Sequence, residues 1–419
     1  MQSNYKRLGD YIQEVNIRNK KLADYPLLGV SVKKKFIPSI ANTVGTDFST
    51  YKIVKKNQFT YIPDTSRRGE KIGLALLDSY DYGLVSQAYT VFKILDEGEL
   101  HPEYLMMWFK RPEFDRYARV KSHGSVREIF DWQEMRDILL PIPSPEKQLK
   151  IVKEYNVIQN RIQLNNQLIT KLEETAQAIY KQWFVDFEFP DENGLPYKSN
   201  CGEMVESELG EIPKDWSCGS LGKIMEPVNG YAFKSGDFFN SGAIPIIKIK
   251  NIKHPFVYIQ PDTQYYNNDI NKSLLRVMAN KGDILISMTG SGANQLNSAV
   301  GQVGKYYYND SSLLNQRVCK LSPKQHFYNE YIYQFIITKD IQANLLNGST
   351  GSANQANISP EQLKSLKSLI PDNCILEKFQ KIGDVFDNSK AFQMLGKLEQ
   401  FESLLLAKMT KVEVEKELA

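Results

Sequence analysis

The chain of 419 residues is long enough for two or three domains, each with its own hydrophobic core. Its content of 42% hydrophobic and 24% charged residues is typical of an ordinary soluble protein. No run of about 18 to 20 apolar residues could span a membrane, and the first residues lack the apolar core of a signal peptide. We therefore expect a cytoplasmic protein without a membrane partner. The net charge of +3 excludes a chain that binds polyanions over its whole surface.

Residues 1–143 predict a first globular domain of mixed secondary structure. Short β-type runs, such as residues 59–62 and 89–94, are separated by Gly, Pro and Asp. A helix is expected over residues 102–117, because this stretch opens with a proline and carries apolar residues at helical spacing.

Residues 144–189 predict one long helix. Its apolar residues alternate at spacings of four and three, which is the pattern of the a and d positions of a coiled coil. Asn165 is the polar member of this seam, and a polar residue at such a position fixes the register of paired helices. The seam consists of Ile151, Tyr155, Ile158, Ile162, Asn165, Ile169, Leu172, Ala176, Ile179 and Trp183.

The second half of the chain repeats this order of segments. Residues 190–205 are a connector rich in Gly, Pro, Asn and Asp, and residues 206–371 predict a second globular domain with strands over 244–249 and 283–288. Residues 372–419 predict a second long helix, in which the seam slips near Asn388. We expect the two helices to pair in antiparallel fashion and to hold the domains apart; the alternative is that each packs on its own domain. The second seam includes Phe379, Ile382, Phe386, Leu398 and Leu405.

Short phrases recur at matching places in the two halves. Gly-Ser-Val-Arg at residues 124–127 corresponds to Gly-Ser-Ala-Asn at residues 351–354, and the Ile-Pro pair at residues 142–143 corresponds to that at residues 370–371. The predicted fold class is α/β, more narrowly a mixed α+β architecture. It has two similar globular domains, a pair of long antiparallel coiled-coil helices and an internal pseudo-two-fold repeat.

Motifs of self-contained catalysis are missing from the sequence. It has no GxxxxGK[ST] phosphate loop, no adjacent prolines, no acidic residue two positions before a lysine and no HExxH. The four cysteines, Cys201, Cys218, Cys319 and Cys374, are widely separated, which predicts reduced thiols and no metal site. These absences favour a binding and scaffolding protein that is not an enzyme.

Several segments resemble the specificity subunits of type I restriction–modification systems. Residues 207–216, Ser-Glu-Leu-Gly-Glu-Ile-Pro-Lys-Asp-Trp, are similar to the phrase that opens the second target-recognition domain of that family. Residues 142–152 resemble the beginning of its central conserved helix, and residues 176–187 resemble the end. Residues 5–12 and 51–54 also fit a first recognition domain. The second copy departs from the pattern at residues 371–374, which lead into the helix by a longer path.

The resemblance implies a subunit that performs no chemistry itself and has no cofactor of its own. Each recognition domain of such a subunit reads one half of a bipartite sequence in double-stranded DNA, and the helices set the spacer between the halves. The same helices dock two modification subunits, which use S-adenosylmethionine to methylate adenine at N6. Restriction and motor subunits, which use ATP and Mg2+, complete an ATP-dependent endonuclease.

Two loops in each domain are the predicted places of DNA reading. Arginine offers a fork to guanine, and asparagine or glutamine offers a matching pair to adenine. The base-reading residues predicted on this ground are Arg67, Arg68, Ser125, Arg127, Thr289, Ser291, Asn294, Gln295, Asn354 and Gln355. Clustered lysines are expected to hold DNA phosphates, and these are Lys33, Lys34, Lys35, Lys248 and Lys250.

Three other functions fit parts of this pattern. One is a specificity protein that serves only a methyltransferase, without a nuclease. Another is a coiled-coil scaffold that joins two protein clients and does not bind DNA, in which case the basic clusters are solvated surface. The third is a two-domain catalyst with dispersed residues, which would be active as an isolated chain.

Overall fold

The first folded unit is built from both ends of the chain. A computed structural model of the protein describes residues 5–39, 45–65, 71–123, 128–260, 262–290, 299–349 and 356–409. Unit 1 comprises residues 1–164 and 396–419, and unit 2 comprises residues 165–395. The divisions between the units fall inside long helices, whereas the sequence-based boundaries were drawn at the ends of those helices.

The described helices include one of 40 residues, which begins at a proline. The helix expected over residues 102–117 is in fact two helices, because Pro112 starts a new one and forces the preceding Arg111 into an extended conformation. The single helix expected near the C-terminus is also two, and the break coincides with the predicted slip at Asn388. The helices are α1 (Pro102–Lys110), α2 (Pro112–Lys121), α3 (Trp132–Arg136), α4 (Pro145–Phe184), α5 (Lys272–Arg276), α6 (Asn329–Ile336), α7 (Lys339–Asn347), α8 (Pro360–Ser365), α9 (Asn373–Asp387) and α10 (Lys390–Lys408).

Unit 1 contains short antiparallel strands around an aromatic core. Its strands are β1 (Tyr5–Arg7), β2 (Ile12–Val15), β3 (Leu28–Val30), β4 (Phe36–Pro38), β5 (Lys52–Lys55), β6 (Phe59–Tyr61), β7 (Leu74–Leu76), β8 (Tyr82–Val85), β9 (Thr90–Ile94) and β10 (Leu139–Pro141). One sheet has the order β2-β9-β6-β7, and the pairs β1-β10, β3-β4 and β5-β8 surround it. Phe59 and Phe92 stack at 4.9 Å between ring centroids, and Phe109 of α1 meets Phe59 edge-on. This contact fixes α1 on the sheet.

Unit 2 is larger and contains two main sheets. Its strands are β11 (Met204–Ser207), β12 (Gly210–Pro213), β13 (Ser217–Ser220), β14 (Met225–Asn229), β15 (Ile244–Ile247), β16 (Ile252–Lys253), β17 (Phe256–Val257), β18 (Tyr265–Tyr266), β19 (Met278–Ala279), β20 (Ile284–Ser287), β21 (Thr289–Gly290), β22 (Val303–Lys305), β23 (Ser312–Leu314), β24 (Val318–Pro323), β25 (Ala356–Asn357) and β26 (Lys367–Ile370). The sheets have the orders β14-β24-β20-β22-β17-β16 and β18-β15-β23-β19, and β11-β12, β13-β26 and β21-β25 form separate pairs.

The internal repeat extends to individual hydrogen bonds. The β1-β10 pair of unit 1 corresponds to β13-β26 of unit 2, and β2-β9-β6 corresponds to β14-β24-β20. The buried Tyr104 hydroxyl donates to the carbonyl of Pro141 (3.0 Å), and the buried Tyr331 hydroxyl donates to that of Leu369 (2.9 Å). These tyrosines hold the same position in α1 and α6. The prediction of two similar α+β domains is confirmed.

The long helices contact each other within each unit in the order expected of antiparallel partners. In unit 1, Tyr155 near the start of α4 donates a hydrogen bond to Glu402 in the second half of α10 (2.9 Å). In unit 2, Trp183 near the end of α4 lies 5.8 Å from Phe379 near the start of α9, measured between ring centroids. The named seam residues of α4, α9 and α10 are all buried or half-buried, including Asn165.

Candidate nucleic-acid interface

The bases of the two predicted reading loops in unit 2 lie side by side. Strand β21 precedes residues 291–298, strand β25 follows residues 350–355, and the two strands pair with Thr289 opposite Asn357. The amide of Ile358 donates to the carbonyl of Met288 (2.8 Å), which extends the ladder by one residue. Backbone pairing thus brings together two segments that are more than 60 residues apart in the chain.

Unit 1 has the same arrangement at the equivalent place. Asp64 forms an isolated antiparallel bridge with Ile129. The Thr65 amide donates to the carbonyl of Glu128 (2.9 Å), and the Phe130 amide donates to that of Pro63 (2.9 Å). The loop that begins after Thr65 and the loop that ends before Glu128 therefore share one base, as the loops of unit 2 do.

A capped helix follows the second loop in each unit. The Asp131 side chain accepts a hydrogen bond from the Glu134 amide (2.8 Å) and starts α3. The Ser359 hydroxyl accepts one from the Gln362 amide (3.1 Å) and starts α8. Asp and Ser are favoured N-cap residues because they satisfy an unpaired amide of the first turn. These caps fix where each loop returns to the folded unit.

Most of the predicted base-reading residues lie outside the described part of the chain. Thr289 is the exception and belongs to the ladder at the base of the loops. Its hydroxyl is buried and has no hydrogen-bond partner among the described residues. The remaining predicted residues are Arg67, Arg68, Ser125, Arg127, Ser291, Asn294, Gln295, Asn354 and Gln355.

Lys34, which was predicted to hold a DNA phosphate, has protein partners in this structure. The Lys34 side chain is buried, and its ammonium group donates to Asp115 (2.6 Å) and to the carbonyl of Ile72 (2.8 Å). Burial lowers the pKa of Lys34 and outweighs the opposing effect of Asp115. Lys34 therefore joins a loop to α2, whereas its neighbours Lys33 and Lys35 are exposed.

The two lysines predicted as phosphate ligands in unit 2 also have protein partners. Lys250 forms an ion pair with Asp262 (2.6 Å). Lys248 donates to the side-chain oxygen of Gln264 (2.5 Å), and its ammonium lies 4.0 Å from the ring centroid of Phe238. Lys250 is exposed and Lys248 is half-buried, so a phosphate would have to compete with these contacts.

Sequence analysis did not identify Lys71 and Lys110 as members of the basic group around Lys33 and Lys35. These residues line one cavity in unit 1, although they are far apart in the chain. No short motif connects them, so only the folded structure brings them together.

The described residues contain no group of three or more His, Cys, Asp or Glu side chains that could hold a metal ion. All four cysteines are free. No described helix is long and apolar enough to cross a membrane.

Comparisons with known proteins agree with this architecture. Residues 9–174 and 213–403 match the profile of the type I restriction modification DNA specificity domain. The chain is 24% identical over 318 residues to the type I restriction enzyme MjaIX specificity subunit of Methanocaldococcus jannaschii, covering 73% of this chain and 68% of that protein. It is 22% identical over 440 residues to the type I restriction enzyme HindI specificity subunit of Haemophilus influenzae, covering 92% and 93% of the two chains.

A solved structure supports the fold. The S subunit of the type I restriction–modification system from M. genitalium has a TM-score of 0.52 and 15% identity, and the match covers 98% of this chain and 96% of that one. Because the two matched regions of the family profile span most of the sequence, the chain belongs to the family of type I restriction–modification DNA specificity domains.

Proposed function

We propose that this protein is the DNA sequence-recognition subunit of a type I restriction–modification complex, and that each unit reads one half of a bipartite target. The observation that carries this proposal is the pair of loop bases. In both units a short backbone ladder joins two loops at equivalent places, at Thr65 with Glu128 and at Thr289 with Asn357. Loops held together on a rigid support are well suited to enter a DNA groove.

The loop residues supply the donors and acceptors that direct reading requires. Arg67, Arg68 and Arg127 are candidates for guanine, whereas Asn294 and Gln295 are candidates for adenine. Different residues in the two copies imply two different half-sites. Lys33 and Lys35 are exposed and would contribute phosphate contacts that do not depend on sequence.

The chemistry belongs to partner subunits in this proposal. Two modification subunits would supply S-adenosylmethionine and methylate adenine N6, and restriction or motor subunits would supply ATP and Mg2+. Apolar side chains left open on the long helices support such docking, since unpartnered apolar surface often marks an interface. Val157 is 61% exposed, Leu164 is 60% exposed and Leu404 is 58% exposed, all within unit 1. The helices would also set the number of base pairs between the half-sites.

A binding experiment tests the proposal. The full chain with its modification subunits is mixed with a random DNA library, and the retained sequences are determined. Single alanine substitutions at Arg67, Arg68, Asn294 and Gln295 should each relax the choice at one position and cost about 1–3 kcal/mol of discrimination. Lys20→Ala, which removes an exposed charge outside the loops, is the control. Unchanged sequence choice in all four variants would reject the assignment of the loops.

The same preparation tests the absence of chemistry in this chain. The isolated protein should show no methyl transfer, nuclease or ATPase activity. Methyl transfer from S-adenosylmethionine by the purified chain alone would contradict the division of labour.

A further inference from the structure

Unit 1 contains a basic cavity between the long helices α4 and α10 and the globular part of the unit, which comprises its strands and α1 to α3. The cavity has a volume of about 200 Å³. Tyr155 and Gln159 of α4 and Glu402 and Leu406 of α10 form one wall. The opposite wall is made by residues of the globular part of unit 1, and five of these are lysines: Lys33, Lys34, Lys35, Lys71 and Lys110.

Two of the five lysines have polar partners inside the protein. Lys34 forms its ion pair with Asp115 at 2.6 Å. Lys110 donates to the Tyr155 hydroxyl (3.2 Å), which in turn donates to Glu402 (2.9 Å). Burial lowers the pKa of Lys110, Glu402 opposes this effect, and Lys35 adds to it. Lys35 and Lys110 are therefore close enough to repel each other.

The other three lysines have no acidic partner in the described part of the chain. Within the described residues, no carboxylate lies within 4.0 Å of the ammonium groups of Lys33, Lys35 or Lys71. The side-chain nitrogen of Gln159 is also buried and has no hydrogen-bond partner in the described part of the chain. A buried donor without an acceptor carries a cost that a bound acceptor would relieve. The cavity thus has both an excess of positive charge and an unsatisfied donor.

The repeated fold provides a comparison within the same protein. Unit 2 has a cavity of about 170 Å³ lined by Ile337 and Gln342. Two of these lining residues are equivalent to lining residues of unit 1. Ile337 is the ninth residue counted from the start of α6, and Lys110 is the ninth residue of α1. Gln342 is the fourth residue of α7, and Asp115 is the fourth residue of α2. Equivalent positions therefore line a cavity in both units, but the described lining residues of unit 2 include no lysine and no residue of α4 or α9.

We infer that the unit 1 cavity is a binding site for a phosphoryl group. Phosphate oxygens accept several charge-assisted hydrogen bonds, and lysine ammonium and amide N–H groups supply them. The phosphoryl group could belong to the DNA backbone or to a free phosphoanion. The first assignment rests on the proposed function, and the second does not. Both sources require the same donors.

Titration of the full chain with pyrophosphate, without DNA and at low salt, tests this inference. The wild type should bind with measurable heat, and the double variant Lys35→Gln/Lys71→Gln should bind at least about tenfold more weakly. The double variant Lys20→Gln/Lys21→Gln is the matched control, because it removes the same charge from exposed lysines of unit 1 outside the cavity. Absence of binding to the wild type, or equal weakening in both variants, would overturn the inference.

A second arm identifies the source of the group. If a DNA phosphate occupies the cavity, pyrophosphate should compete with DNA, and Lys35→Gln/Lys71→Gln should reduce the salt dependence of DNA binding by about one to two counterions. If a free anion occupies it, pyrophosphate should bind equally well to the DNA-bound protein. If the wild type binds pyrophosphate but shows no sequence-specific DNA binding, the proposed function is rejected and the phosphoryl site is still supported.

Discussion

Replacement of Glu173 by glutamine should stabilise unit 2 at neutral pH and leave its stability at acid pH nearly unchanged. Glu173 lies on α4, where its carboxylate accepts a hydrogen bond from the Tyr333 hydroxyl (3.2 Å). Burial raises the pKa of Glu173 to about 7; Lys305 opposes this effect, whereas Glu330 and Asp387 add to it. The ionised form is therefore disfavoured in the folded state.

The sign and size of the effect follow from this shift. Because the folded pKa lies above the unfolded one, the stabilisation from protonated Glu173 is complete below about pH 4.5 and is lost as the pH rises towards 7. A shift from 4.5 to about 7 corresponds to about 3 kcal/mol of unfolding free energy. Glutamine stays neutral, so the variant avoids this loss.

Urea unfolding of the full-length protein at several pH values measures the difference. The free energy of unfolding of Glu173→Gln minus that of the wild type should grow by about 3 kcal/mol between pH 4.5 and pH 8. Glu174→Gln is the control, because Glu174 is exposed and paired with Lys171 on the helix surface. A difference that does not vary with pH would refute the reasoning.

Three further predictions concern the core and the helices. Lys305→Met should destabilise unit 2 by about 3–5 kcal/mol in urea unfolding, because it removes the cation that pairs with the buried Glu330 and the half-buried Asp387. Lys281→Met, which removes an exposed charge, should have little effect. Tyr104→Phe should cost about 1 kcal/mol in thermal unfolding, because it loses the hydrogen bond to Pro141. Tyr331→Phe should cost at least as much, because the Tyr331 hydroxyl contacts both the Leu369 carbonyl and the Ser368 hydroxyl; a much smaller cost at Tyr331 would contradict the repeat. Duplication of residues 163–166 should add about 6 Å of helix and should lengthen the spacer between the half-sites by about one to two base pairs. Methylation mapping measures the spacer, and an unaltered spacer in an active variant would exclude this role of the helix.

The sequence predicted the large features of the fold because they depend on regular patterns. The seam of α4 has helical periodicity over its full length, and the repeat preserves residues at equivalent places in both units. The single helix expected over residues 102–117 is divided into two, because Pro112 starts a new helix and Arg111 before it is extended. The second long helix was expected to be continuous, whereas residues 388–389 separate α9 from α10.

The site was less predictable because it depends on contacts between distant parts of the chain. Lys34 appears in a run of three lysines, and only the approach of Asp115 shows that it is internal. The cavity lysines Lys71 and Lys110 have no motif in common with that run. By contrast, the matching positions of the loops in the two halves were visible in the sequence, and backbone pairing joins the bases of the two loops in each unit.

Methylation mapping of DNA modified by the complex tests most directly whether each unit reads its own half-site. Genomic DNA from cells that express this chain with its modification subunits is sequenced for N6-methyladenine, and the same is done for the double variant Asn294→Ala/Gln295→Ala. The wild type should mark one bipartite sequence with a fixed spacer. The variant should change or relax one half-site and leave the other half-site and the spacer unchanged. A continuous target, or a variant that alters both half-sites together, would contradict recognition by two separate units.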